Sequence, residues 1–387
     1  MIRGEIFNSA TIEGMLAAPS EKWHRDPPDV IPLFLADPDF PVASQIKRAL
    51  LNAVHDEDLF YNYDDKAREA MAAKITRRNG LEATADDILI TQGVNPGFWL
   101  SIMHTCNAGD EVIVADPVYY RFYDAIEITK TRPVYWTLDL EDGYRFDDEK
   151  LKDFVTSKTK LIFVCNPHNP CGRVMTEKEL KALADIAVDK DITVMVDEIW
   201  EDIIFDNRKH ITLASLNPDI ERLTLTSFGF SKTFCVAGLQ MGYLCTTNKE
   251  MMARLKKHAW GVVMRGTSTL ARAAAPVMLD ETLDWWVADM MEHLHKIRAL
   301  CEKRFEETPG ITCPKLEGTY LMFPKFDYGM TSEELEKYLF EKARVRFAAG
   351  SDFGPHGEGH LRMCIATSEA IVNEALDRTQ RALEKVK

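Results

Sequence analysis

The stretch from Leu161 to Glu198, LIFVCNPHNPCGRVMTEKELKALADIAVDKDITVMVDE, decides how the rest of the chain is read. It opens with an uninterrupted apolar run, Leu161 to Cys165, and nearly closes with another, Ile192 to Val196. Continuous rather than alternating apolarity marks strands covered on both faces. Between the runs, Thr176 with Glu179 forms a capping-box pattern that opens a helix running to about Asp189. Such a helix is long enough to cross one face of a sheet and return the chain to the next parallel strand. Similar runs at Ile88 to Thr91, Val112 to Ala115, Leu223 to Ser227 and Gly242 to Cys245 extend the pattern on both sides. The expected fold class is therefore α/β, with a large domain built on a mostly parallel sheet covered by helices.

Beyond residue 246 the texture changes to long helical stretches, chiefly Glu250 to Val263 and Leu283 to Glu307, the second placed as a connector. Strand-like Thr319 to Phe323, a helix opened by Thr331 with Glu334, a run near Val345 to Ala348, Leu361 to Ala366 and a closing helix then suggest a smaller α+β domain. The division expected is a large domain over 46–281 and a small domain made of 1–45 with 282–387.

The 387 residues are 46% hydrophobic, enough for a large core, and the net charge of −14 is spread without a basic patch. Nucleic acid and anionic lipid are therefore not expected partners. The eight cysteines show neither CxxC pairs nor regular spacing, which fits reduced thiols rather than a disulfide framework. No signal-like start and no apolar run approaching ~18 residues is visible, so a cytoplasmic chain without a membrane span is expected.

In a wound sheet of this kind ligands lie beyond the carboxyl ends of the strands. Here those ends deliver Gly93-Val94-Asn95, then Asp116-Pro117-Val118-Tyr119, then Asn166 to Pro170, then Asp197-Glu198, then Ser231-Lys232. Each has a use around a phosphorylated pyridine aldehyde, pyridoxal 5′-phosphate (PLP). A primary amine is required for a Schiff base and can then act as general base, which assigns Lys232 the catalytic role. A carboxylate at the pyridine nitrogen keeps the ring protonated and electron-withdrawing, a task for Asp197. Asn169 can donate to the ring's phenolate oxygen, the amides of Gly93, Val94 and Asn95 at a helix start can cradle the phosphate, and Tyr119 can stack on the ring. Arg362, an isolated charge in an apolar strand, suits the substrate carboxylate through two parallel charge-assisted bonds. Taken singly, each residue is better explained as a solvated lysine, a helix cap, a turn or a core aromatic; their order and spacing together point to the site.

Asn166-Pro167-His168-Asn169-Pro170-Cys171-Gly172-Arg173, Asp197-Glu198-Ile199, Ser231-Lys232-Thr233-Phe234, Ala237-Gly238-Leu239 and Leu361-Arg362 resemble the ordered landmarks of fold-type I PLP enzymes, the aspartate aminotransferase superfamily of class I/II. The resemblance covers essentially the whole chain, from Leu35-Ala36-Asp37-Pro38-Asp39-Phe40 onward. It implies a homodimer in which a tyrosine of the neighbouring subunit reaches the phosphate; Tyr63 is the candidate, with Tyr61 close behind. It also implies cofactor contacts from Ser227 and Ser231, and a substrate loop at Ala36. Trp200 stands where most relatives carry a tyrosine, and Gln240 where a phosphate-binding arginine is common. These departures, with Ala36-Asp37, resemble the cystathionine β-lyase-like branch, although that branch usually has histidine at position 200; Gly318-Thr319-Tyr320 and Gly350 to Gly354 are similar to ordinary aminotransferases. The expected activity is transfer of the amino group of an L-amino acid to a 2-oxo acid. Elimination of a thiol from S-substituted cysteine is the alternative, and a non-catalytic regulator on the same fold a minor one. Arg265, Trp260 and residues near Phe34 are candidates for the side-chain pocket. His356 and His360, separated by Gly-Glu-Gly in a loop, lack a third ligand, and no metal is expected.

Overall fold

The computed structural model describes residues 3–261 and 267–386. Its main sheet contains β1 (Ile88–Thr91), β2 (Glu111–Asp116), β3 (Arg132–Thr137), β4 (Thr159–Cys165), β5 (Thr193–Asp197), β6 (Thr224–Gly229) and β7 (Gly242–Cys245). The order across the sheet is β1-β7-β6-β5-β4-β2-β3. Strands β2 to β6 pair in parallel, whereas β7 runs antiparallel to both of its neighbours, β1 and β6. The sheet is thus mostly parallel, as the apolar runs imply. The reversal of β7 was not visible in them, because a run buried on both faces carries no direction.

Strands β1, β6 and β7 are buried at every residue, and β2, β4 and β5 at all but one apiece. Strand β3, which the sequence reading did not include, lies at the sheet edge with most of its residues exposed or half-exposed. Pro133 within it cannot donate to a ladder, which restricts such a segment to an edge.

Helix α1 (Asn95–Thr105) follows β1, and α2 (Glu177–Lys190) links β4 to β5. The capping box of α2 forms as expected: the Thr176 hydroxyl accepts from the Glu179 amide at 3.3 Å and the Glu179 carboxylate accepts from the Thr176 amide at 2.7 Å. The long helix α3 (Asp284–Glu306) buries Trp286, Met290, Leu294, Ile297, Cys301 and Phe305, a stripe at helical spacing. The strand-like runs of the C-terminal part are shorter than the sequence suggests. Leu321–Met322 and Ala348–Ala349 flank Leu361–Cys364 in an antiparallel group, and Val345–Arg346 pairs in parallel with Ile31–Pro32 near the N-terminus. The Cys364 amide donates to the Leu33 carbonyl at 2.8 Å, which brings the residues just before Ala36 against the strand that carries Arg362.

Gly242 begins β7 opposite Thr91 and Gly229, at the same sheet edge as the site residues. A Cβ there would stand 2.6 Å from the carbonyl carbon of Gly93 and 2.9 Å from the Val94 amide nitrogen. Gly93 itself has φ +81°, where a side chain is strained. Gly242→Ala is therefore expected to lower unfolding stability by about 1–3 kcal/mol through overpacking, measured by denaturant titration. An unchanged midpoint would contradict this close backbone approach.

Candidate active site

Because β1, β2, β4, β5 and β6 point the same way, the residues that follow their carboxyl ends meet along one rim. The cleft there has about 780 Å³ of empty volume. Gly93, Val94 and Asn95 form one wall at the start of α1, and Asp197, Ser231 and Lys232 another. Tyr119, Trp200, Asn169, Ala36 and Arg362 complete the enclosure. Three further residues line it that the sequence reading did not select: Leu35, Tyr120 and Ile199. The Tyr119-Tyr120 tandem was a signal for one of them; the other two are placed only by tertiary packing.

The Lys232 amine donates to the Ala36 carbonyl at 2.7 Å and lies 5.8 Å from the centre of the Trp200 ring. Burial holds the amine below the usual lysine range, which favours the neutral, nucleophilic form. Asp197 is 2% exposed, and its Oδ1 accepts from the Ile199 amide at 3.2 Å. Burial pushes its pKa up to about 7, against the opposing amide bond and Lys232. Among the described residues no lysine or arginine is bonded to this carboxylate, so it lacks the cation that its desolvation calls for.

Arg362, 5% exposed, donates from Nη1 to Asn169 Oδ1 at 3.1 Å and from Nη2 to the Phe34 carbonyl at 2.8 Å. Its Nε is buried without a partner among the described residues, and the guanidinium lies 4.5 Å from the Phe353 ring centre. A buried guanidinium held only by neutral acceptors leaves its charge for an anionic ligand. Burial raises the Tyr119 phenol to about 12, so the ring meets the cleft as a neutral face. Trp200, 2% exposed, stands edge-on to Tyr320 with ring centres 4.7 Å apart.

The remaining sequence candidates lie elsewhere. Ser227 is fully buried behind the wall, where its hydroxyl donates to the Val94 carbonyl at 3.3 Å. Its place is to buttress the Gly93 to Asn95 turn rather than to face the cleft. Gln240 is exposed, in the left-handed region at φ +47°, and its carbonyl accepts from the Thr267 hydroxyl at 3.0 Å. Tyr63 is 89% exposed and Tyr61 fully so, both outside the cleft of their own chain. Phe34 lines an adjoining cavity that shares Leu35, Tyr120 and Arg362 with the cleft. Trp260 lines a different pocket, beside Tyr63 and Arg272, and Arg265 lies outside the described residues. His356 bonds Asp116 at 2.8 Å and His360 bonds the Tyr144 hydroxyl at 2.9 Å. Glu198, Glu201 and His210 bring ligand atoms within 4.8 Å of one another, but the Lys74 ammonium already bonds Glu201 and supplies the cation of this cluster.

The donor set fits PLP and an amino acid: a desolvated amine, a turn of backbone amides at a helix start, and, among the described residues, a buried carboxyl without a bonded cation and a guanidinium without a bonded anion. The family described as Aminotransferase class I and II matches residues 28–378. The aspartate aminotransferase of Pyrococcus abyssi is 32% identical over 364 residues, 93% of each chain. Cystathionine β-lyase PatB of Bacillus subtilis is 27% identical over 381 residues, 96% of this chain and 98% of its own. A PLP-bound protein of Clostridium difficile superposes with a TM-score of 0.92 at 29% identity, covering 97% of this chain and 99% of the other.

The buried carboxyl makes a pH-dependent prediction for the cofactor-free protein. In the unfolded chain Asp197 titrates near 3.8, and in the folded one at about 7. The folded state therefore holds the extra proton between these values, and its stability falls as pH rises through that window. The melting temperature of Asp197→Asn relative to wild type is expected to rise between pH 5 and pH 8. A constant difference would show that the carboxyl is not desolvated.

Proposed function

Because the chain belongs to the class I and II aminotransferase family, we propose that it moves the amino group of an L-amino acid to a 2-oxo acid with PLP attached to Lys232. The observation that carries this reading is the convergence of Lys232, Asp197 and Arg362 on one cleft, each desolvated and, among the described residues, held by hydrogen bonds to neutral groups rather than by an ion pair. Bound PLP supplies the ring that accepts the electron pair released at the substrate α-carbon. Asp197 supplies the negative charge for the ring nitrogen and Tyr119 a face for the ring to rest on. The amides of Val94 and Asn95, with Ser231, would receive the phosphate at the positive end of α1, the Gly93 amide being given to the Thr91 carbonyl at 3.0 Å. Asn169 and Trp200, which line the same cleft, would offer N–H donors to the ring's phenolate oxygen.

Arg362 grips the substrate carboxylate through its unfilled donors, and the Asn169 bond fixes the guanidinium plane. Substrate orientation is thereby set by a planar fork rather than by a mobile point charge. The Lys232 amine would take the proton from the substrate α-carbon and hold it at Nζ, the step that transamination and its alternative share. Its amine is suited to this because burial has already lowered its affinity for a proton.

The same proton removal serves β-elimination, and the similarity to PatB over nearly the whole of both chains favours that as the second reading. Incubation with an amino acid and no 2-oxo acid separates them. Transamination converts one equivalent of cofactor to its amine form and stops. A lyase releases pyruvate and thiol continuously from S-substituted cysteine.

We also propose a homodimer in which Tyr63 of the partner subunit completes the phosphate site. Support comes from the exposed run Leu59, Phe60, Tyr61 and Tyr63, with Leu51 and Val54 also exposed, an apolar surface of the kind that marks an interface. Sedimentation as a monomer at micromolar concentration would contradict it.

Lys232→Ala is expected to lose covalent cofactor attachment and to cut turnover by at least ~10²–10⁴-fold, the usual share of a positioned acid–base group. Reduction with borohydride followed by peptide mapping checks the attachment, and a pyridoxyl mass on any other lysine contradicts the assignment. Arg362→Lys is expected to raise KM for amino acids ~10-fold or more as the bidentate fork is lost. An unchanged KM across a substrate panel would remove Arg362 from the carboxylate site.

A further inference from the structure

The loop from Leu33 to Asp39 makes its hydrogen bonds to Lys232 and Arg362 through its backbone, while the Asp37 carboxylate acts on Lys232 by charge alone. The Ala36 carbonyl accepts from Lys232, and the Phe34 carbonyl accepts from Arg362. The loop is fixed to the strand that carries Arg362 at two further points: the Cys364 amide donates to Leu33 at 2.8 Å, and the Asp39 amide donates to Ala366 at 2.9 Å. On its other side stands the short helix Glu21–His24. From it the Lys22 ammonium donates both to the Asp37 carbonyl at 2.9 Å and to Asp39 Oδ1 at 3.0 Å. The Trp23 indole donates to the same oxygen at 2.8 Å. Lys22, Trp23 and Asp39 are 1%, 3% and 6% exposed, and none of them lines the cleft.

We propose that Lys22, Trp23 and Asp39 form a positioning clamp whose task is to hold the Leu33 to Asp39 loop so that its two carbonyls set the Lys232 amine and the Arg362 guanidinium in register with each other. This rests on the roles proposed above for Lys232 and Arg362. A buried ion pair is a poor source of net stability, because desolvation of both charges offsets their attraction, and apolar replacements are often as stable. What a pair of this kind provides is geometry. One ammonium ties two points of the loop two residues apart, Asp37 and Asp39, and Trp23 fixes the rotation of the carboxylate about them. A packed apolar pair would fill the volume but leave the backbone between Phe34 and Asp37 without a directional anchor. Such a backbone can tilt by tenths of an ångström, which is enough to misplace groups that must act together.

The double variant Lys22→Met/Asp39→Leu tests this by removing both charges at once, so that neither is left buried alone. The expected result is a folded protein with a melting temperature close to wild type. In the cofactor-free protein, amide hydrogen exchange over residues 34–38 should accelerate at least ~10-fold, and labelling of Lys232 by an amine-reactive reagent should change at least ~5-fold. With cofactor, kcat should fall and KM should rise, because both Lys232 and Arg362 lose their fixed acceptors. Lys22→Arg, which retains the charge and a donor fork, should recover most of the exchange protection. Unchanged exchange and unchanged Lys232 labelling in the folded double variant overturn the proposal. If that variant does not fold, Asp39→Asn keeps the size and one acceptor oxygen while removing the charge, and the same two readouts in it decide the matter. Exchange and labelling are read without cofactor, so they judge the clamp alone, whereas loss of the Lys232 assignment would show in the borohydride map.

Discussion

The arrangement of the site depends on burying unlike charges without letting them neutralise one another. Lys232, Asp197 and Arg362 share a cleft, yet the hydrogen bonds that hold them are to neutral groups: the Ala36 carbonyl, the Ile199 amide, and the Asn169 and Phe34 oxygens. Had Asp197 paired with Lys232, both would be spent on each other, and the amine would be held in its charged form. The fold avoids this by taking the two residues from neighbouring parallel strands and turning each chain away at the strand end. The cost of leaving these groups desolvated is met by the surrounding core, where most of the main sheet is buried on both faces.

That division of labour explains how much was legible in the sequence. Strands buried on both faces read as continuous apolar runs, so β1 and β7 were located to the residue and the others to within two. Local capping patterns at Thr176 and Thr331 read correctly because a capping box is closed within four residues. Edge strand β3 did not read, because half its surface is solvated and Pro133 interrupts the run. The direction of β7 did not read either, since it follows from the path of the 230–241 connection and not from composition. In the site, the residues at strand ends were legible by position alone. Leu35 and Ile199 were not, because nothing in their type distinguishes them from core. Ser227 and Gln240 follow from family resemblance rather than from geometry, and the structure places one behind the cleft wall and the other in solvent.

Trp200 illustrates what a departure from the family pattern changes. An indole in place of a phenol removes a hydroxyl from the cleft and puts a broad aromatic face beside Lys232, 5.8 Å from its amine. A cation over such a face is favoured electrostatically, so Trp200 works against the burial that drives Lys232 toward its neutral form. The balance still lies with burial, which is the largest influence on that amine. Tyr320, edge-on to the indole, keeps a buried hydroxyl without a partner among the described residues. It is a polar atom next to the catalytic apparatus that the side chains around it do not satisfy.

Transamination and β-elimination diverge only after the α-proton has left, so the groups common to both cannot distinguish them. The outcome turns on what surrounds the β-carbon and beyond. Past Arg362, Tyr120 and Leu35 the cleft opens into a second cavity with about 1200 Å³ of empty volume. Its walls combine the Phe34 ring, with Arg25 and Arg346 over it at 5.2 and 5.0 Å, and the carboxylates of Glu333, Glu336 and Asp352. On the proposed reading, a substrate anchored at Arg362 would lie between the inner cleft that holds Lys232 and the wider outer cavity, which has room for a leaving group or a bulky side chain. The loop from Leu33 to Asp39 forms part of the boundary between the two, with Leu35 in both and the Ala36 carbonyl facing inward to Lys232. On the proposed reading, orientation at the α-carbon and room for the side chain would thus both depend on one short segment.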